Sequence, residues 1–172
     1  GDYITILNSD DFYQSDDTIS KVVKIINKNI NTKLFFGNIV YFKQKQFYNI
    51  KRYYPVNKFE RLQMRYGIMP PHPSVFIKKK CYEDFGYYNI DYRISADYDL
   101  LFRFIKLNNL KCIYSNDIIV NMTPGGASNK NIFSSIKLNK EIYQIHKSHN
   151  RPISIFSLFK KIPRRISELI PQ

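Results

Sequence analysis

The chain has 172 residues, a length typical of one compact domain with its own core. Hydrophobic residues make up 44% of the sequence and aromatic residues 16%, which excludes a disordered chain. The 27 Lys and Arg against 14 Asp and Glu give a net charge of +13, which favours anionic partners such as phosphates, nucleic acid or an acidic membrane.

Several absences in the sequence narrow the class of protein further. There is no run of about 18 uncharged apolar residues, and the first residues lack the pattern of a signal peptide. Cys81 and Cys112 show no CxxC spacing and fit a reduced intracellular protein better than a disulfide scaffold. The histidines lack zinc-type spacing. We therefore expect a cytoplasmic protein.

The first predicted element is a buried strand at about residues 3–7, followed closely by the adjacent carboxylates Asp10 and Asp11. In open α/β sheets the carboxyl edge of the strands is where ligands bind. Two neighbouring acids repel each other unless a cation or a proton neutralises one of them, and Mg²⁺ or Mn²⁺ suits such oxygen ligands. Two interpretations stay open here: a metal site, or a polar turn in which one acid caps the following segment.

Strands and helices alternate along the rest of the chain. The predicted strands lie at about 34–41, 74–77, 111–114 and 118–121, with a hairpin at about 43–54. The first predicted helix follows a cap at 15–17. The second begins at Asn57, with Glu60 three residues on, and ends at Gly67. The third covers about 79–85, the fourth begins near Ser95 and the fifth covers about 129–149. This alternation predicts an α/β fold with a mixed, mostly parallel sheet flanked by helices.

Five segments, in this order, resemble family 2 glycosyltransferases with the GT-A fold. They are the strand and acidic motif at 1–11, the strand at 36–41, the His-x-Ser-x-Phe strand at 72–77, the acceptor-side motif at 82–100 and the Gly-Gly-x-Ser loop at 124–128. The resemblance covers roughly residues 1–130. It implies a partial GT-A catalytic domain at 1–150 with C-terminal helices, followed by a basic amphipathic segment at 151–172.

The resemblance implies transfer of a sugar from a nucleotide-sugar donor to an acceptor hydroxyl with inversion, in the synthesis of surface polysaccharides or glycoconjugates. It implies that Asp11 binds Mn²⁺ or Mg²⁺, with Asp10 sharing the ion or holding the donor, and that Asp97 is the general base. The alternative for Asp97 is purely structural, because acids in the first turn of a helix are stabilised by its dipole.

Further candidate residues have equally open alternatives. His72 is a candidate contact for the diphosphate or the acceptor, or a structural histidine in a Pro-rich loop. Gly125 and Gly126 either let backbone amides approach a sugar or phosphate or form a flexible turn. Arg103 either approaches phosphate or tethers its helix to the core.

The segment 151–172 carries five basic residues against one acidic, with apolar residues at helical spacing. Two interpretations stay open for it. It either lies on the inner face of the cell membrane, which would suit a lipid-linked acceptor, or packs on the domain.

The family places a nucleotide-binding half before the acidic motif, whereas only residues 1–3 precede the apolar run here. We therefore expect the C-terminal part of a catalytic domain, which alone binds nucleotide sugars weakly or not at all and self-associates through an unpaired strand edge. Two alternatives are a folded fragment without activity and a basic nucleic-acid-binding module. The second is disfavoured because no nucleic-acid-binding signature occurs.

Overall fold

The computed structural model describes residues 1–43, 46–56, 59–123 and 132–160. Within them the fold is mixed α/β, a six-stranded sheet with helices packed on both faces. The strands are β1 (Tyr3–Ile4), β2 (Phe12–Tyr13), β3 (Leu34–Lys43), β4 (Gln46–Tyr54), β5 (Phe76–Lys78) and β6 (Cys112–Met122). The helices are α1 (Thr18–Lys28), α2 (Lys79–Phe85), α3 (Ala96–Leu101) and α4 (Ile132–Ser148). Shorter 3-10 segments cover Arg61–Tyr66, His72–Ser74 and Ile155–Lys160, and a π-helical segment, Phe102–Leu107, continues α3.

The strands follow the order β1-β5-β3-β6-β2, and β4 pairs with β3 beside this path. Among the described strands only β3 and β6 pair in parallel, whereas the other four pairings are antiparallel. The prediction of a mostly parallel sheet is therefore wrong. An apolar run indicates a strand but not its direction, and both the β3–β4 hairpin and the short outer strands run back against their neighbours.

The predicted buried strand at 3–7 is also wrong in length and burial. β1 covers only Tyr3–Ile4 and lies at the end of the strand order, paired with β5. Its side chains alternate between two faces: Tyr3 and Leu7 pack on the core, whereas Ile4 and Ile6 are 36% and 41% exposed. A short apolar run is equally typical of a central and an outer strand, so its pattern did not distinguish them.

The parallel pair β3–β6 forms the centre of the sheet. β3 confirms the predicted strand at 34–41 and is buried from Leu34 to Val40. The two strands predicted at 111–114 and 118–121 are one strand, β6, whose pairing with β3 shifts register around Asn38. This shift accommodates the polar residues that separate the two apolar runs.

Helix α1 packs on one face of the sheet and the other helices on the opposite face. In α1 the buried apolar positions are Val22 and Ile26, whereas Ile19 and Val23 are 40% and 47% exposed. Its N-cap residue, Asp17, makes no side-chain capping bond to the helix, which differs from the predicted cap at 15–17.

The helical segment from Ala96 to Leu107 confirms the helix predicted near Ser95. Its apolar residues at helical spacing, Leu100, Leu101, Phe104 and Ile105, are fully buried. α2 ends as predicted at Gly86, whose φ of 87° favours glycine.

The segment before Gly67 differs from the prediction. Asn57, the predicted cap, lies outside the described residues. The 3-10 segment begins after Glu60, whose backbone N–H donates to Oε1 of Gln63 at 3.3 Å, and it ends at Gly67 with a φ of 72°. The capping interaction therefore forms three residues later than predicted, with Gln63 in place of Glu60 as its second member.

The C-terminal part of the described chain packs on the same core. Ile142 and Ile145 of α4 are buried there, and so is Leu158 in the 3-10 segment Ile155–Lys160. Of the two alternatives for the segment 151–172, the contact of Leu158 corresponds to packing on the domain. Residues 161–172 lie outside the described ranges. Within those ranges no helix is both long enough and apolar enough to cross a bilayer.

We expect Gly37→Ala to destabilise the fold by about 1–3 kcal/mol, the usual cost of overpacking. A Cβ at this position in β3 would overlap Cγ1 of Ile119 and lie 3.2 Å from the backbone oxygen of Asp117. Urea unfolding of Gly37→Ala, of Ile119→Ala and of the double variant tests this. The double variant should lose less stability than the two single losses added together. Strict additivity would contradict the overlap.

Candidate functional site

The acidic loop between β1 and β2 is bound to the end of β6. Nδ2 of Asn8 donates to Oδ2 of Asp11 at 2.7 Å, and the backbone N–H of Thr123 donates to Oδ1 of Asp11 at 3.2 Å. The Thr123 hydroxyl donates to the backbone oxygen of Asp10 at 2.8 Å. Because β2 pairs with β6 immediately beside Thr123, the two segments hold this loop from both sides.

The two acids of the loop have different environments. Asp11 is buried, and burial raises its pKa, while the bonds from Asn8 and Thr123 oppose that rise. The Asp10 side chain is exposed to solvent. The carboxylate of Asp11 therefore holds the loop together, and that of Asp10 is the more open to a ligand.

The carboxylates of Asp10 and Asp11 are suitable as part of the ligand set of a hard divalent cation. Within the described residues, no three His, Cys, Asp or Glu side chains are grouped so that they could hold a metal ion. Mg²⁺ commonly binds proteins through one or two carboxylates and takes its other ligands from phosphate and water. Asp10 and Asp11 supply that number of carboxylates.

A second cluster joins His72, Tyr88 and Asp97. The Ser74 hydroxyl donates to the backbone oxygen of Gly37 at 2.7 Å, which holds the 3-10 turn His72–Ser74 on the middle of β3. Nε2 of His72 lies 2.7 Å from the Tyr88 hydroxyl. Asp97, in the first turn of α3, interacts electrostatically with both side chains.

Burial shifts the pKa values of this cluster toward the neutral forms. It raises the pKa of Asp97, against the attraction of His72 and the backbone N–H of Tyr98, and the charge of Glu141 adds to the rise. It lowers the pKa of His72, against the attraction of Asp97. A carboxylate whose pKa lies above its ordinary range is a stronger proton acceptor. Such groups in polar clusters are candidates for acid–base chemistry.

The loop that carries Tyr88 is held by Arg103. Its Nη1 donates to the backbone oxygen of Phe85 and its Nη2 to that of Tyr87, both at 2.5 Å, and its Nε pairs with Asp99 at 2.9 Å. Of the two alternatives for Arg103, these contacts correspond to the tethering one. The guanidinium is directed at the protein backbone and at Asp99.

The structure brings His72 and Asp97 together, and it places Asp10 and Asp11 side by side at the end of β6. Gly125 and Gly126 lie outside the described residues, two and three residues after Thr123 in sequence. Sequence reasoning missed the roles of Thr123, Tyr88 and Glu141, because their contacts are distant in sequence. The Asp99–Arg103 pair had a local signal, its i, i+4 spacing on a helix.

Comparison with models of known protein families finds no match to this chain. Comparison with curated protein sequences finds no match either. The glycosyltransferase motifs therefore stay an interpretation of the sequence, and the function has to be inferred from the chemistry of the two clusters.

We expect Arg103→Met to destabilise the fold by about 3 kcal/mol, because among the described residues it leaves the buried Asp99 carboxylate with the ring of His149 as its only side-chain partner. The matched control is Lys80→Met. It breaks the exposed Lys80–Asp84 pair, which has the same i, i+4 spacing, and should leave stability unchanged. Urea unfolding measures both variants, and equal losses would contradict the assignment of Arg103 as the tether.

Proposed function

We propose that this chain carries the metal-binding and acceptor-binding part of an inverting glycosyltransferase with a GT-A-like fold. The reaction moves a sugar from a nucleotide-sugar donor to an acceptor hydroxyl. The observation that carries the proposal is the Asp97 carboxyl in the first turn of α3, which interacts electrostatically with His72, because burial raises its pKa and makes it a stronger proton acceptor than an ordinary carboxylate. The open carboxylate of Asp10 at the end of β6 supports it independently.

In the proposed reaction Asp97 takes the proton of the acceptor hydroxyl while the acceptor oxygen forms a bond to the anomeric carbon. The bond from that carbon to the diphosphate oxygen breaks, and the nucleoside diphosphate leaves with the electron pair. A single displacement from the opposite face inverts the anomeric configuration. His72, held by the Tyr88 hydroxyl, borders Asp97 and is suited to orient the acceptor or the diphosphate.

Asp10, supported by Asp11, would hold Mn²⁺ or Mg²⁺, whose charge would neutralise the diphosphate leaving group. Relative to the family resemblance, this assigns the first role to Asp10 instead of Asp11. The reason is that both carboxylate oxygens of Asp11 already accept hydrogen bonds from the protein. Asp11 then fixes the loop, and Asp10 makes the outward contact.

The proposed acceptor is a saccharide or a lipid-linked sugar, and the proposed location is the cytoplasm or the inner face of the cell membrane. Leu158 packs in the core, so the proposed membrane contact would have to come from other parts of the basic segment 151–172. The net charge of +13 is compatible with such a surface.

Asp97→Asn should lower the transfer rate by about two to four powers of ten, since the amide cannot accept the proton. Donor affinity should be unchanged. In the unsubstituted protein the rate should rise with pH as Asp97 loses its proton, through a range above that of an ordinary carboxyl.

The assay uses the protein expressed from its complete reading frame, with Asp84→Asn on the exposed face of α2 as the matched control. Equal losses of rate and of donor binding in Asp97→Asn would make Asp97 a binding or structural residue instead.

Asp10→Asn should abolish the Mn²⁺-dependent part of nucleoside diphosphate binding, because an amide is a poor replacement for a carboxylate ligand. Asp16→Asn is the matched control, since Asp16 is also exposed and lies beyond β2. Calorimetry of a panel of nucleoside diphosphates with and without Mn²⁺ measures this in the same protein. If the Mn²⁺ dependence of nucleoside diphosphate binding is unchanged in Asp10→Asn, Asp10 is not part of the metal site.

A second candidate function, a folded fragment without activity that self-associates, is favoured by the exposed Ile4 and Ile6 around the outer strand β1. Light scattering of residues 1–172 over a range of concentration tests it. Ile4→Lys together with Ile6→Lys should then shift the protein to a monomer, whereas Ile90→Lys, at a residue that is 90% exposed, should not. A monomeric parent protein would exclude self-association.

A further inference from the structure

The start of α3 is bound to α4 through a buried carboxylate. Oε2 of Glu141 accepts hydrogen bonds from the backbone N–H groups of Ile94 and Ser95, both at 2.9 Å. Glu141 is 6% exposed, so these bonds form inside the protein. The backbone N–H groups at the start of a helix have no hydrogen-bond partners within the helix. Here the side chain of Glu141, from a helix distant in sequence, supplies the acceptor.

Two further contacts connect the same turn to α4 and to His149, the residue directly after it. Nε2 of His149 lies 3.0 Å from Oδ1 of Asp99, and Nε2 of His146 lies 2.8 Å from the Tyr98 hydroxyl. Ser95 and Tyr98 are therefore held by α4, and Asp99 by the residue that follows it. Asp97 lies between these residues in sequence. The orientation of the Asp97 carboxyl thus depends on the position of α4.

Glu141 also acts on Asp97 through its charge. The titratable and charged groups around Asp97 come from four elements: His72 from the 3-10 turn, Tyr88 from the loop after α2, Asp99 from α3 itself and Glu141 from α4. Asp99 is paired with Arg103 and His149. Glu141 is thus a buried negative group facing Asp97 whose described bonds come from neutral backbone donors.

We propose that Glu141 is a positioning residue for Asp97, because it fixes the entry into α3 through two backbone N–H groups. The second effect of Glu141 is its charge, which adds to the rise in the pKa of Asp97. The role of Asp97 as a base rests on the proposed function. The hydrogen bonds and the charge effect do not depend on it. A neutral residue could serve the first purpose but not the second.

The test separates the two effects of Glu141. Glu141→Gln keeps an oxygen that can accept the two N–H bonds but removes the charge, and Glu141→Ala removes both. Glu83→Gln, on the exposed face of α2, removes one negative charge elsewhere and is the matched control. Carbon-13 NMR of the Asp97 carboxyl gives its titration midpoint, and amide hydrogen exchange at Ile94 and Ser95 reports the entry into α3. Neither measurement needs a donor or an acceptor.

In Glu141→Gln we expect the Asp97 midpoint to fall, because the charge of Glu141 raises the pKa of Asp97, with exchange at Ile94 and Ser95 still slow. Glu141→Ala should give fast exchange at both amides, and Glu83→Gln should match the parent in both measurements. An unchanged Asp97 midpoint in a folded Glu141→Gln variant would overturn the charge effect. Slow exchange in Glu141→Ala would overturn the positioning effect.

Kinetics then connect this inference to the proposed reaction. In the protein from the complete reading frame, the acidic limb of the pH–rate profile should move to lower pH in Glu141→Gln, with the donor KM unchanged. If the parent protein transfers no sugar, the proposed function fails while the NMR result stands. If transfer occurs but the acidic limb does not move, the role of Glu141 fails and the proposed function stands.

Discussion

The structure depends on how two carboxylates in one helical turn are accommodated inside the core. Asp99 is 2% exposed and is compensated by Arg103 and His149. A buried charge without partners would cost several kcal/mol, so these contacts contribute to the stability of the fold. The same guanidinium binds the backbone of the loop that ends at Tyr88, and the hydroxyl of Tyr88 contacts His72. The guanidinium that compensates the charge of Asp99 therefore also holds residues that interact with Asp97.

Asp97, two residues earlier, is compensated much less. Its described attractive contacts are the charge of His72 and the backbone N–H groups of Tyr98 and of Asp97 itself, and burial lowers the pKa of that histidine. The contacts of Asp99 stabilise the fold, whereas burial leaves Asp97 with a raised pKa. Incomplete compensation of a buried acid is typical of functional sites. The described residues thus combine a rigid helix with a carboxyl that can exchange a proton.

The sequence predicted those elements whose cause is local. The helix from Ala96 has its apolar residues at helical spacing, α2 ends at a glycine with positive φ, and β3 is an unbroken apolar run. Strand direction and the outer position of β1 depend on which strands meet in space. The pattern of one strand does not contain that information, and the prediction of a mixed, mostly parallel sheet is wrong for this reason.

The same distinction applies to the site. Asp97 and His72 were predicted from their motifs, and the structure brings them together. Thr123 and Glu141 contact the site from 112 and 47 residues away, and neither has a local signal in its own segment. Residues that carry out chemistry often belong to motifs, whereas residues that hold them are selected by packing. Only a three-dimensional structure identifies the second kind.

The anomeric configuration of the first reaction product tests the assignment of Asp97 as a base most directly. A base that only removes the acceptor proton permits a single displacement, so proton NMR of the new glycosidic linkage should show the configuration opposite to that of the donor. A carboxylate that attacks the sugar would give a covalent intermediate and a second displacement. Retention of the donor configuration would therefore contradict the role of Asp97 proposed here.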